Sequence, residues 1–166
     1  MLNSIGGDDV EQGKETLNRF VTELLDRFQR AEAGFLSGAD LSPQEARLLE
    51  TVCRAVDGGL DNRSTAIAAA RRVTAGTLTS AVKLLEKKGY LTRRRDEQDR
   101  RVVRLAPTEL GRKASERYIA FRKKLTESAI ACLSEDEAAG LIRTVDKLSH
   151  ALHGSIGEQT KMEEYI

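Results

Sequence analysis

The hydrophobic period of this 166-residue chain changes abruptly at Gly89. Before it, apolar residues recur at three- and four-residue steps. After it, Tyr90-Leu91-Thr92-Arg93-Arg94-Arg95 and Arg101-Val102-Val103-Arg104-Leu105 form two short stretches around the polar turn Asp96-Glu97-Gln98-Asp99. The first pattern gives a helix with one apolar stripe and the second a strand, so a basic β-hairpin is expected to interrupt an otherwise helical chain. Composition agrees: two Pro and no Trp, with 40% hydrophobic and 32% charged residues, suit one compact domain or one domain plus a helical extension. They exclude a disordered tail and argue against a large β-sandwich.

Four helices are expected before the switch. Leu17, Phe20, Val21, Leu24, Leu25 and Phe28 place an amphipathic helix from Glu11 to about Phe35. Gly34, Ser37, Gly38 and Asp40 break it. Leu41-Ser42-Pro43-Gln44-Glu45 then supplies an N-cap Ser, a Pro at the first helical position and a capping-box Glu for a helix to about Val56. Asp57-Gly58-Gly59 is a turn, after which Asn62 or Ser64 caps a short helix ending at Arg71 or Arg72. Thr74 caps the fourth, Ala75–Lys88, and Gly89 suits the left-handed position that ends it. Beyond the hairpin, Pro107-Thr108-Glu109 opens a long helix to Leu133, with Ala114, Tyr118, Phe121, Leu125 and Ala129 on one side. Ser134-Glu135-Asp136-Glu137 is a capping box for a last helix, with Leu141, Ile142, Val145, Leu148 and Leu152, to about His153.

The net charge of +1 hides a gradient. Residues 1–60 hold six basic and eleven acidic residues, 61–105 twelve and five, and 106–166 nine and ten. Such a chain can carry a local anion-binding face without being sticky overall. The order of elements in the basic segment says what that face meets. On the fourth helix Leu78, Val82 and Leu85 share one side, while Gly76, Ser80, Lys83 and Lys87 lie opposite, flanked by Thr77 and Thr79. Three short helices followed by a basic hairpin form the plan of a winged helix-turn-helix over residues 41–106: the third of them enters the DNA major groove and the hairpin reaches over the backbone. Thr74, Gly76, Thr77, Thr79 and Ser80 allow close approach, with Lys83 on the same side. Arg93, Arg94 and Arg95 are candidates for phosphate or a narrow minor groove. They alternate faces, so they cannot all do the same job. Asp99 and Arg101 are placed to pair across the hairpin and hold its shape. For any single wing arginine, a solvated edge charge that discourages strand pairing is the competing reading.

Gly89-Tyr90-Leu91-Thr92-Arg93, Asp96-Glu97-Gln98-Asp99-Arg100-Arg101-Val102-Val103 and Thr108-Glu109-Leu110-Gly111-Arg112 resemble the wing signature D-x-R…L-T-x-x-G of the MarR family of bacterial and archaeal transcription regulators. The resemblance runs from the first helix to about Leu152. It implies a mainly α fold, a winged helix-turn-helix with a two-stranded β wing and a helical dimerisation region, residues 10–36 and 107–153. It also implies an obligate homodimer on a pseudo-palindromic double-stranded DNA operator, adds Arg100 and Arg101 to the DNA-binding candidates, and makes Asp99 a wing-structuring residue. An intramolecular helical bundle would bury the same apolar stripes. Within the family, Thr74-Ala75-Gly76-Thr77-Leu78-Thr79, Lys87-Lys88-Gly89-Tyr90 and the Asp-Arg-Arg-Val-Val run look most like repressors of fatty-acid biosynthesis operons. These imply acyl-loaded acyl carrier protein as corepressor and a ligand pocket lined by residues such as Phe28, Phe35 and Leu49. Three departures from the family pattern stand out. Arg71 replaces an apolar residue, Arg72 a turn residue that is commonly Gly, and Pro107 the usual Leu, the last tolerable if the strand has already ended.

Other readings compete less well. A winged-helix protein-interaction module would show weak salt dependence. A regulator of this family could instead answer a small phenolic ligand or an oxidant, but Cys53 and Cys132 fall in apolar helical patterns where Cys serves as a small hydrophobe. They also lack the spacing for a disulfide framework or a thiolate metal site. His150 and His153 share a helix face without a third ligand, so no metal or other cofactor is expected. No nucleophile elbow, Gly-rich phosphate loop or H-E-x-x-H is present, so no enzyme activity and no catalytic residue is expected. Neither a membrane span nor an export signal is visible at Met1–Asp9, and a cytoplasmic location is expected.

Overall fold

The computed structural model describes residues 7–162, with side chains from Glu11 to Ala151. They form α1 (Gly7–Leu36), α2 (Pro43–Asp57), α3 (Ser64–Arg71), α4 (Ala75–Lys87), β1 (Leu91–Arg95), β2 (Val103–Pro107), α5 (Glu109–Ile130) and α6 (Glu135–Met162). This is the mainly helical, winged architecture expected. The chain divides into two compact units, one ending at Ala120 and one beginning at Phe121. The side chains of Leu152 and His153 lie outside the described residues.

In the first unit, helix ends follow local chemistry. Ser42 and Glu45 close a reciprocal capping box: Ser42 N–H donates to Glu45 Oε2 at 2.7 Å and Glu45 N–H to Ser42 Oγ at 3.3 Å. The α4 terminus closes with Tyr90 N–H on the Leu85 carbonyl and Gly89 N–H on Glu86, and Gly89 sits at φ +79°, where a side chain would be strained. Arg72 takes the corresponding place after α3 at φ 52°, ψ 45°, which explains why glycine is common there. Arg71 is half-buried and its guanidinium reaches Gln44 Oε1 at 3.4 Å, so the stem packs while the charge escapes. The cap of α3 differs from expectation. Arg63 is the N-cap residue, its amide held by Asp61 Oδ1, while Asn62 faces β2: its side-chain amide donates to Leu105 O, and its carbonyl accepts from Leu105 N–H.

The hairpin also corrects the expected bounds of its second strand. β2 is Val103–Pro107 rather than 101–105, antiparallel to β1 with Leu91 opposite Pro107 and Arg95 opposite Val103. Pro107 is tolerated inside the strand because Thr108 N–H bonds Tyr90 O one pair beyond it, which puts Pro107 at a non-hydrogen-bonded pair with its nitrogen turned away from β1.

The core gathers Leu49, Val52, Ile67, Leu85, Leu91 and Leu105, all 2% exposed or less. At about 2 kcal/mol for each large side chain removed from water, this cluster holds α2, α3, α4 and the sheet together. Gly111 lets the first turn of α5 cross the chain after α4, because a Cβ there would lie 2.1 Å from the Tyr90 carbonyl oxygen. Thr108 clasps that crossing: its hydroxyl donates to Gly89 O at 2.7 Å and accepts from Gly111 N–H at 3.0 Å. Glu32 of α1 is tied in by two partners, the buried Tyr118 hydroxyl of α5 and Arg47 Nη2 of α2 at 2.6 Å. Further back along α1, Leu17, Phe20, Val21 and Leu25 stand 43–58% exposed.

In the second unit, Ser134 N–H donates to Glu137 Oε2 at 2.9 Å, the expected capping box of α6. Leu141, Ile142, Val145 and Leu148 are 43–64% exposed at helical spacing along it. No helix among the described residues is long and apolar enough to cross a membrane.

Candidate nucleic-acid interface

α4 presents two unlike sides. Leu78, Val82 and Leu85 are buried, whereas Thr74, Gly76, Thr77, Thr79, Ser80, Lys83 and Lys87 are all exposed. Thr74 Oγ1 caps the helix by accepting Thr77 N–H at 3.1 Å and lies 2.9 Å from Thr77 Oγ1. Thr79 Oγ1 donates back to Ala75 O at 2.7 Å. The outer face is thus lined with short hydroxyls held close to the backbone, a surface that a groove wall can approach. Nothing but Thr74 Oγ1, at 3.9 Å, lies near the position a Cβ on Gly76 would take.

The twelve basic residues between 61 and 105 divide into two groups. Arg63 pairs with Asp61 at 2.5 Å, Lys88 with Glu45 at 2.9 Å, Arg93 with Glu86 at 2.6 Å and Arg104 with Asp96. Arg71, Arg72, Lys83, Lys87, Arg94, Arg95, Arg100 and Arg101 have no carboxylate partner among the described residues. Arg94, Arg95, Arg100 and Arg101 therefore project from the hairpin as uncompensated charge. Arg93, expected alongside them, is turned to α4: its Nε and Nη2 both meet Glu86 Oε2, and this bond holds the Glu86 carboxyl below the usual range. A tether between hairpin and helix is what that side chain provides.

The hairpin is shaped less by Asp99 than by a residue the sequence did not single out. Asp99 Oδ1 accepts the backbone N–H of Arg101 at 2.9 Å, not its guanidinium. Asp96 Oδ1 accepts the amides of Gln98 and Asp99 at 3.0 and 3.1 Å, and its other oxygen takes Arg104 Nε. The Arg104 bond and those two amides hold the Asp96 carboxyl low. Arg104 Nη1 then reaches Asn62 Oδ1 at 2.9 Å, anchoring the hairpin to the start of α3. An acidic turn residue facing a strand arginine eight positions on is visible in the sequence, but only the true register pairs them.

A groove of about 360 Å³ lies at the end of α1 and the start of α5, lined by Phe35, Leu36, Gly38, Ala39, Leu41, Tyr90, Leu110, Lys113, Ala114 and Arg117. Of the three expected ligand residues, Phe35 alone lines it. Leu49 is fully buried, its Cδ1 close beneath Gly111, so it belongs to the core; Phe28 is half-buried and outside the lining. Cys53 is buried, which pushes its thiol up, and Cys132 is exposed. His150 is exposed beside Asp146 at 3.8 Å, and no cluster of three metal-ligating side chains occurs among the described residues.

The sequence profile of the MarR family matches residues 39–102, the segment from α2 through β1 and the hairpin turn. No curated protein matches the chain. Among solved structures, Streptococcus pneumoniae FabT in complex with DNA is 30% identical, with 85% of this chain and 98% of that one superposed at a TM-score of 0.77. The fold is shared with the S. aureus MepR–DNA complex, 22% identical over 83% of this chain and 97% of that one at a TM-score of 0.67. It is shared too with Bacillus subtilis YusO, 22% identical over 85% and 97% at 0.68. A hydroxyl-lined helix beside an arginine-tipped hairpin, in a chain 30% identical to FabT over 85% of its length, leads to one assignment: the chain belongs to the MarR family of DNA-binding transcription regulators.

Proposed function

We propose that the protein is a homodimeric repressor that binds a pseudo-palindromic operator. In each subunit Thr74, Gly76, Thr77, Thr79 and Ser80 face the major groove, with Lys83 on a phosphate at its wall. Arg94, Arg95, Arg100 and Arg101 hold phosphates or the neighbouring minor groove. The observation that carries this reading is the pairing of an exposed, small-residue helix face with four hairpin arginines that no carboxylate among the described residues neutralises. The likeness to FabT, solved with DNA bound, supports it. Homodimerisation is supported by the exposed apolar stripes of α1 and α6, which a second copy would cover.

The resemblance to fatty-acid repressors further suggests acyl-loaded carrier protein as corepressor. The groove beside α1 favours such a ligand chemically: an apolar floor from Phe35, Leu36, Leu41 and Leu110, with Lys113 and Arg117 at its edge, suits an acyl chain carrying an anionic linker.

The test uses a duplex selected by the protein from a random-sequence pool. Four hairpin arginines and Lys83 in each subunit give about ten phosphate contacts per dimer, so log affinity against log salt should fall with a slope of about −9. Replacing Arg94 and Arg95 with Ala should weaken binding and flatten the slope to about −5. Unchanged affinity and slope reject their role, and weak salt dependence in the wild type points to a protein partner instead. Acyl-loaded carrier protein should tighten binding in a gel-shift titration; no change, or release, rejects corepression.

A further inference from the structure

Three lysines lie in or directly after α4, and one behaves unlike the others. Lys83 and Lys87 are exposed with no carboxylate partner among the described residues. Lys88, one residue on, turns inward: its ammonium lies 2.9 and 3.0 Å from the two oxygens of Glu45 and 3.6 Å from Asp40 Oδ1, with only 17% of its side chain exposed. Glu45 cannot swing to follow it, because Oε2 also accepts the Ser42 amide of the capping box and the side chain is 7% exposed. The two groups sit where backbone dipoles favour them, a cation at the carboxyl end of α4 and an anion at the amino end of α2.

Lys88 and Glu45, we infer, are positioning residues for DNA binding: they bolt the C-terminal end of α4 to the N-terminal end of α2 and so set where Thr74–Ser80 stand, while Lys88 touches no phosphate. This rests on the DNA-binding reading above. Leu78, Val82 and Leu85 hold α4 through apolar contacts, which resist separation but are non-directional. A part-buried ammonium whose charge-assisted bonds reach both oxygens of a fixed carboxylate is directional. α4 is a rod of about 20 Å, so a tilt of about 3° at the bolt moves the far end by about 1 Å. That is enough to stretch a hydrogen bond of about 2.9 Å beyond useful range.

The experiment compares Lys88→Met, Lys88→Arg and Lys83→Met on the selected duplex across a salt series. Lys88→Met should lower affinity about tenfold with the wild-type slope retained, and Lys88→Arg should recover most of it. Lys83→Met should flatten the slope by about 0.9 for each phosphate contact removed. A flattened slope in Lys88→Met, or unchanged affinity in the folded variant, overturns the assignment. Because an unpaired buried Glu45 can itself destabilise the domain, the double variant Lys88→Met with Glu45→Gln is measured beside it and should show the same weakened binding with the slope intact. Hydrogen exchange without DNA separates the two readings: α4 amides should exchange faster in Lys88→Met and not in Lys83→Met. If that difference appears and no duplex is bound by the wild type, the DNA-binding reading fails alone. If it is absent, the bolt fails.

Discussion

Replacing Gly111 by alanine should cost about 3 kcal/mol, even though alanine is the better helix former. The new Cβ would sit 2.1 Å from the Tyr90 carbonyl oxygen and 3.2 Å from Leu49 Cδ1, and the first of these atoms is backbone that cannot rotate aside. To reach ordinary contact, α5 must lift from Tyr90, which breaks the two bonds that fasten it there: Thr108 N–H to Tyr90 O at 3.0 Å and Thr108 hydroxyl to Gly89 O at 2.7 Å. Overpacking costs about 1–3 kcal/mol. Loss of two such hydrogen bonds adds about 2 kcal/mol, and helix propensity returns up to about 1 kcal/mol. For a chain of this size a net loss of about 3 kcal/mol lowers Tm by about 10 °C. Urea unfolding at fixed protein concentration measures it, since the stability of a dimer such as the one proposed depends on concentration. Gly34→Ala is the control: nothing lies within 4 Å of its Cβ position in α1, so it should be neutral or stabilising by up to about 1 kcal/mol. A Gly111→Ala protein with the wild-type midpoint would refute the crossing as described.

Other outcomes follow from the same geometry. Arg72→Gly should raise stability by about 0.5–1 kcal/mol, because φ 52° costs an L-residue more than glycine's lost chain entropy; a lower Tm would contradict this. Gly76→Ala should leave Tm unchanged or higher, whereas Gly76→Gln should weaken operator binding by crowding the groove-facing surface, and equal affinity for both variants and the wild type would remove Gly76 from the interface. Leu25→Lys on the exposed stripe of α1 should shift the protein toward monomer in sedimentation, and an unshifted dimer would place the interface elsewhere. Thermal stability should hold between about pH 7 and 5 and decline below about 4.5. Glu45 is raised by burial, but its bonds from Ser42 and Lys88 outweigh that and hold it below 4.5, while Arg63 brings Asp61 to about 2. Carboxyls held low in the folded state stabilise fully above their unfolded values, and that contribution disappears as pH falls through the folded ones. A decline that starts above pH 6 would need another group.

What the sequence makes legible here is mostly local. Ser42–Glu45, Ser134–Glu137 and Gly89 mark helix ends through contacts within a turn, and each mark matches the structure. The two sides of α4 are equally plain, since three apolar residues at 3.6-residue spacing leave little choice. Long-range choices are harder. The two-residue shift of β2 follows from Leu105 meeting Asn62, forty-three positions away, and from Thr108 meeting Tyr90. Arg93 looked like its neighbours Arg94 and Arg95 because a strand of three arginines carries no mark of which one faces a carboxylate on the preceding helix. Leu49 could pass for a pocket residue because an apolar side chain on α2 reads the same whether it lines a groove or sits under Gly111.

The Asp96–Arg104–Asn62 chain has a consequence for how the hairpin tolerates change. Since the loop's form is kept by a carboxylate, backbone amides and an anchor at α3, the side chains of the four outward arginines have no carboxylate partner among the described residues that would help hold it. Those side chains can therefore be exchanged one at a time, altering the charge at the tip in small steps, without the scaffold registering the change.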